Sequence, residues 1–187
     1  FVRIRDLHDT DIAAAWSGDP SAKSLNEIVF CFPGVTAILN HRIAHELYRQ
    51  GATMIARIMA EGSHSRTGID IHPGARIAAA CFIDHGSGVV IGETAVIGRG
   101  VRIYQQVTLG AKRFRADESG TLIKGEPRHP VIEDDVVIYA GAAILGRITI
   151  GQGSVIGGGV WLTESLPPGS VVTQAPPELS VLTRREG

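Results

Sequence analysis

Aromatic residues make up only 5 % of this 187-residue chain, and neither sign of charge prevails, with 18 Lys and Arg against 19 Asp and Glu. The even balance removes the electrostatic footprint expected of a partner for nucleic acid or an anionic membrane. No stretch is long and apolar enough to span a bilayer. Cysteines are scarce too: Cys31 and Cys81 have no metal-like spacing. They fit a reducing compartment, so a cytoplasmic location is expected. No secretory leader is read, and a start at Phe1 rather than Met reads as a fragment or a trimmed chain. Glycine, by contrast, is plentiful at 23 residues. Few aromatics with many glycines suit neither a bundle nor a sandwich, but they suit a fold with many similar tight corners.

Two halves follow different grammars. Residues 1–66 read as an α-helical domain. Asp19-Pro20 looks like an N-cap with proline at the first helical position. Val35, Ile38, Leu39, Ile43 and Leu47 keep helical spacing after a Pro33-Gly34 break, and Met54, Ile55, Ile58 and Met59 continue on a short helix beyond Gly51. Cys31, between Phe30 and Phe32, reads as core.

From Ile69 onward aliphatic residues recur every six positions: Ile71, Ile77, Ile83; Ile91, Ile97, Ile103, Leu109; Ile132, Ile138, Ile144, Ile150, Ile156, Leu162. A second series lies four places later, including Ala75, Cys81, Val101, Val107, Val136, Ala142, Ile148 and Val160. A period of six fits neither a helix nor an alternating strand. It fits hexapeptide repeats coiled into a triangular prism, a left-handed parallel β-helix over 67–172, followed by a tail, 173–187. Each repeat buries little alone, so stacked neighbours supply the stability. Three hexads per turn predict about five coils.

The repeat slips twice. Ile83 to Ile91 is a step of eight, around His85-Gly86-Ser87-Gly88, and a long polar excursion at 111–130 separates Leu109 from Ile132. A solenoid accepts insertions only at its corners, where loops carry function. Both slips hold a histidine beside a charged residue: Asp84-His85 and Arg128-His129. A hydroxyl attacks well only when a base takes its proton, and imidazole, with an ordinary pKa of roughly 6.5, suits neutral pH. A carboxylate on the other ring nitrogen would fix its tautomer. Asp70, about one coil back, is expected in that role. Asp84 is disfavoured because neighbours on a strand point to opposite faces. Arg128 can fork onto a carboxylate, and His129 can bond the substrate hydroxyl or a developing oxyanion.

The string from Gly68 to Ala75, that from Phe82 to Val96 with its Asp-His-Gly-x-Gly and Gly-Glu-Thr-Ala-Val, and the strings Gln106–Gly110 and Arg128–Pro130 resemble serine acetyltransferases. The resemblance runs from about 18 to 170 and takes in the Asp19-Pro20 segment and the His41–His45 helix. It implies direct acetyl transfer from acetyl-CoA to the L-serine hydroxyl, a step of cysteine biosynthesis. By resemblance His85 is the general base and Asp70 orients it. Asp19 and Asp84 hold the serine ammonium, Arg128 its carboxylate and His129 its hydroxyl. Acetyl-CoA touches backbone near Gly110, Ala111, Ala140 and Gly158. No metal is expected. The family forms trimers with sites between subunits, and helical domains commonly pair two trimers. It is often inhibited by L-cysteine. Some members dock a C-terminal isoleucine into O-acetylserine sulfhydrylase; the last residue here is Gly187, which argues against that partner. The chain also departs from the common pattern in a longer loop after Gly110, in Ala111 where a second glycine is usual, in a shorter region before the repeats, and in lacking Gly-Val-Pro-Ala-Arg near Pro167–Pro177.

Other readings stay open. The same fold serves acetyltransferases for sugars and other hydroxyl acceptors. A zinc hydratase would need three protein ligands, and His72, His85 and His129 show no ligand spacing. A non-catalytic scaffold would bind a synthase partner. A homotrimer at least is expected, since a prism with loops at its edges suits threefold contact.

Overall fold

The computed structural model describes residues 2–175. The end of the chain, with Gly187 and most of the expected tail, lies outside the described residues. Four helices come first: α1 (Val2–Gly18), α2 (Leu25–Cys31), α3 (Pro33–Arg49) and α4 (Thr53–Thr67). Proline opens α3, where its missing N–H costs nothing. Gly68 closes α4 in the left-handed conformation.

Asp19-Pro20 does not start a helix. It forms a turn after α1, and the cap of α2 is Ser24, whose hydroxyl accepts the Glu27 N–H at 3.1 Å while Glu27 reaches back to the Lys23 N–H. That paired cap satisfies more free N–H groups than the Asp-Pro step could. Cys31 is exposed rather than core, beside an exposed Phe30. Two turns of α2 bury only Ile28. On α4 the inward face is Ala56, Ala60 and Ser63, while Met54, Ile55 and Ile58 stay exposed.

Among the described residues fourteen short strands form three parallel sheets: β1 (Asp70–Ile71), β2 (Arg76–Ile77), β3 (Phe82–Ile83), β4 (Val90–Ile91), β5 (Val96–Ile97), β6 (Arg102–Ile103), β7 (Thr108–Gly110), β8 (Val131–Ile132), β9 (Val137–Ile138), β10 (Ala143–Leu145), β11 (Thr149–Ile150), β12 (Val155–Ile156), β13 (Trp161–Leu162) and β14 (Val171–Val172). One runs β1-β4-β7-β10-β13, the second β2-β5-β8-β11, the third β3-β6-β9-β12-β14. This is the left-handed parallel β-helix, with β1, β4, β7, β10 and β13 each opening one of five coils. Every hexad aliphatic from Ile71 to Leu162 ends or centres a strand and points into the prism. Cys81 sits among them, its thiol pushed up to about 12 by burial, a packing residue rather than a nucleophile. A regular coil separates partners by 18 residues, Val90 and Thr108. Asp70 and Val90 are 20 apart, and Thr108 and Ala143 are 35 apart. The two slips in the repeat are therefore two corner insertions, on the two edges that bound the first sheet.

The helices are clamped to the prism by a buried ion pair. Arg42 of α3 forks onto Asp11 of α1 at 2.7 Å through two nitrogens and also donates to the Ile77 and Ala78 carbonyls. Asp11 in turn accepts the Cys81 N–H. The shared hydrogen bonds satisfy both charges at depth.

Candidate functional site

One edge of the prism leads from the third sheet into the first. Its lowest corner lies between β3 (Phe82–Ile83) and β4 (Val90–Ile91) and holds the two-residue insertion. There His85 adopts φ +58° and Gly86 φ +84°. A left-handed residue costs about a kilocalorie and reverses the strand's alternation. That reversal overturns the expectation that Asp84 would face away: the His85 ring sits 3.9 Å from the Asp84 carboxylate. Asp70 is not within ion-pairing distance of the ring. It lies on the outer face of β1, half-buried, in the stretch beneath this corner, where the Gly88 N–H bonds the Gly68 carbonyl at 2.8 Å.

Asp19 arrives at the same corner from α1. Gly18 makes this approach feasible, since a Cβ there would lie 2.8 Å from the Phe82 ring. The Asp19 carboxyl is held below the usual carboxylate range, first by the Ser21 N–H and more weakly by the charges of His85 and Arg102. Arg102 completes the cluster. It bonds Asp84 at 2.9 Å and stacks between the Phe82 and Tyr104 rings, 5.0 and 4.9 Å away. Sequence reasoning missed it, although it follows from register: Phe82 pairs with Arg102 one coil up. Higher on this edge come Ala140 and Gly158, joined through the Gly159 N–H to the Ala140 carbonyl at 2.8 Å.

Arg128 and His129 sit on the other edge, where the first sheet turns into the second. They close the excursion between β7 (Thr108–Gly110) and β8 (Val131–Ile132). His129 is 7 % exposed and packs against Gly92, where a Cβ would lie only 2.1 Å from its Cδ2 and Nε2. Its Nδ1 accepts the Thr94 N–H at 3.1 Å and faces the Thr94 hydroxyl at 2.9 Å. Burial, then the Arg128 charge, lowers its pKa to about 4. It is neutral at pH 7, and because Nδ1 accepts an amide proton, its own proton is assigned to Nε2. Arg128 donates to Glu93 at 2.6 Å, and Tyr48 of α3 donates to the same carboxylate at 3.2 Å. Glu93, Thr94 and Tyr48 also escaped sequence reasoning; the first two lie inside the Gly-Glu-Thr-Ala-Val string.

Gly110 and Ala111 lie on this second edge, apart from Ala140 and Gly158. Beside them the excursion roofs a cavity of about 400 Å³ whose lining includes Lys112, Arg113, Arg115, Arg128 and Arg147. Such a lining suits a phosphate-bearing ligand. Among the described residues no group of three or more His, Cys, Asp or Glu is placed to hold a metal ion, and no helix is long and apolar enough to cross a membrane.

A triangular prism of hexapeptide coils with histidine-bearing corner insertions defines a hexapeptide-repeat transferase. The family model described as bacterial transferase hexapeptide (six repeats) matches residues 129–164. A serine acetyltransferase of Synechococcus elongatus is 67 % identical over 92 % of the chain and 54 % of its own length. One of Mycobacterium tuberculosis is 48 % identical over 89 % of the chain and 69 % of its own length. The crystal structure of serine acetyltransferase isoform 3 from Entamoeba histolytica, in complex with cysteine, superposes with a TM-score of 0.89 at 45 % identity, covering 98 % of this chain and 63 % of that one. The chain belongs to the serine acetyltransferase family. It spans between half and three quarters of the length of the relatives it matches.

Proposed function

We propose that this chain carries the catalytic part of a serine O-acetyltransferase, moving the acetyl group of acetyl-CoA onto the L-serine hydroxyl to give O-acetyl-L-serine for cysteine biosynthesis. The observation that carries this is the pairing of unlike edges: an exposed histidine among carboxylates on one, a buried neutral histidine beside an arginine on the other. A structure of the Neisseria gonorrhoeae serine acetyltransferase in complex with serine, 35 % identical, supports the amino acid as acceptor.

His85 takes the serine Oγ proton as that oxygen attacks the thioester carbonyl. His129 donates its Nε2–H to the reacting oxygen. The intermediate collapses, the C–S bond breaks, and the thiolate recovers the proton from His85. Asp19 and Asp84 hold the ammonium group. Arg128 meets the carboxylate. Asp70 orients His85 once the ring, 72 % exposed, turns down from Asp84 toward β1. Acetyl-CoA lies along the coils past Gly110, Ala111, Ala140 and Gly158, with the basic cavity under the excursion open to its phosphates.

One copy holds the two histidine corners on separate edges, so a complete site needs the His129 edge of a second copy beside the His85 edge of the first. A trimer closes that arrangement, and a pair of trimers is compatible with it. The test is a steady-state assay of the full chain with acetyl-CoA and L-serine, homoserine or simple sugars. Serine-dependent release of free thiol is expected. Turnover of a sugar with serine inert would transfer the proposal to a sugar acceptor.

A further inference from the structure

We propose that Thr94 is a positioning residue that locks His129 into its Nε2–H tautomer and fixes it as a hydrogen-bond donor. The proposal rests on the reading of His129 as the donor to the reacting oxygen. Its geometry stands on five hydrogen bonds converging on one residue. The Thr94 N–H points at Nδ1 from 3.1 Å. An amide can only donate, so Nδ1 must present its lone pair. The Thr94 hydroxyl oxygen accepts the Arg128 N–H at 2.9 Å and the His129 N–H at 3.1 Å. Those bonds fill its two lone pairs, leaving its proton for Nδ1 at 2.9 Å. Gly92 lies against the ring, and a Cβ at that position would collide with it. The Thr94 carbonyl is held by Arg147 at 2.8 Å, and the same guanidinium group holds the His129 carbonyl at 3.0 Å.

With the single Nδ1 lone pair shared by the Thr94 N–H and hydroxyl, the imidazole has one polar atom left to offer. Nε2 has no partner among the described residues, and its N–H is free for a ligand. Protonation would force an Nδ1–H against two donors, which agrees with the lowered pKa, whose first cause is burial. The charged and titratable groups around the ring are Arg128, Arg147, Glu93 and His72. Thr94 thus sets the chemistry of a residue 35 positions away, and also anchors the backbone of Arg128 beside it.

Two substitutions separate the hydroxyl from the packing. Thr94→Val keeps the volume and loses the hydroxyl; Thr94→Ser keeps the hydroxyl and loses the methyl. The full chain is labelled with ¹⁵N-histidine, His129 is assigned through His129→Gln, and acetyl transfer is measured in parallel. The wild type should show a pyrrole-type Nε2 and a pyridine-type Nδ1 at neutral pH. Thr94→Ser should keep both signatures and nearly all the turnover. Thr94→Val keeps the backbone N–H but loses the hydroxyl that accepts the Arg128 and His129 N–H groups, so the ring should drift out of place and kcat should fall on the order of 10²-fold. In that variant the His129 ring should titrate nearer the ordinary histidine range. A wild-type ring carrying its proton on Nδ1 overturns the proposal, and this holds even if Thr94→Val fails to fold. So does a Val variant as active as wild type beside an impaired Ser variant. A ring locked as Nε2–H in a chain that acetylates no serine would instead sink the proposed function and leave the lock standing.

Discussion

The two edges that bound the first sheet carry one histidine each and treat it in opposite ways. On one, His85 is 72 % exposed on a strained, left-handed residue, with carboxylates around it. On the other, His129 is 7 % exposed, pressed on a glycine, with its Nδ1 tied to Thr94. A group that must take up and release a proton needs room and a path to the substrate. A group that must only donate needs a fixed tautomer and no charge of its own. Under the proposed roles the fold meets both needs with the same device, a corner insertion, by changing what the ring rests on.

The sharpest way to break this comparison is to remove the exposed ring. His85→Ala should lower turnover by roughly 10²–10⁴-fold, the usual share of a positioned base. Affinity for acetyl-CoA, measured by equilibrium binding, should change little. Retention of near-normal turnover would mean that the edges do not divide the labour as argued. On the buried side the matching experiment is Gly92→Ala. The new methyl group cannot coexist with the His129 ring, which must lift off Thr94. A loss of about 10²-fold in kcat is expected, with the folded state retained in circular dichroism.

Acid stability should report on the buried ring as well. The pKa of His129 is about 4 in the folded chain, below its ordinary value of 6.5. A depressed histidine binds fewer protons folded than unfolded, so its contribution is intact above pH 6.5 and is lost as pH falls toward 4. Between pH 7 and pH 5 that loss is about 2 kcal/mol. His41, wholly buried with its pKa lowered to about 3 mainly by burial, adds to the same limb in every variant. Urea unfolding of His129→Gln should therefore show a shallower acid limb than that of the unsubstituted chain. Equal limbs would contradict the burial difference.

Much of this was legible in the residues. The period of six predicts every strand from Ile71 to Leu162, because an inward aliphatic is the one requirement a narrow prism imposes on each side. The two slips locate both histidine corners for the same reason: an insertion fits nowhere else. What was not legible depended on register and on local backbone. Arg102 sits opposite Phe82, because the first coil is two residues longer than a regular one, and it meets Asp84 only through the reach of its side chain. Asp84 swings beside His85 only because His85 takes a positive φ, which alternation along a strand does not anticipate. Thr94 and His129 are 35 residues apart, and the excursion between them hides that they stack on one edge. In the helical domain, local rules competed. The Asp19-Pro20 step lost to Ser24 and Glu27, and Cys31 turned outward because a two-turn helix buries one side chain.

The smallest effect expected lies at Arg128. Its Nη2 is committed to Glu93 at 2.6 Å, and its Nη1 touches the Glu126 carbonyl at 3.3 Å. Glu93 is itself held below the usual carboxylate range, first by that Arg128 bond. A planar guanidinium can keep this anchor and still offer N–H groups to a substrate carboxylate; a lysine ammonium, as a point charge, must divide itself between two carboxylates. Arg128→Lys should thus raise KM for serine about tenfold while kcat falls less, if the reacting atoms are governed by His85 and His129 as proposed. Glu93→Gln should act in the same direction by freeing the guanidinium to wander. If Arg128→Lys instead lowered kcat and left KM alone, the arginine would belong with the donor histidine in the reaction itself, and the buried edge would be doing more than holding its groups still.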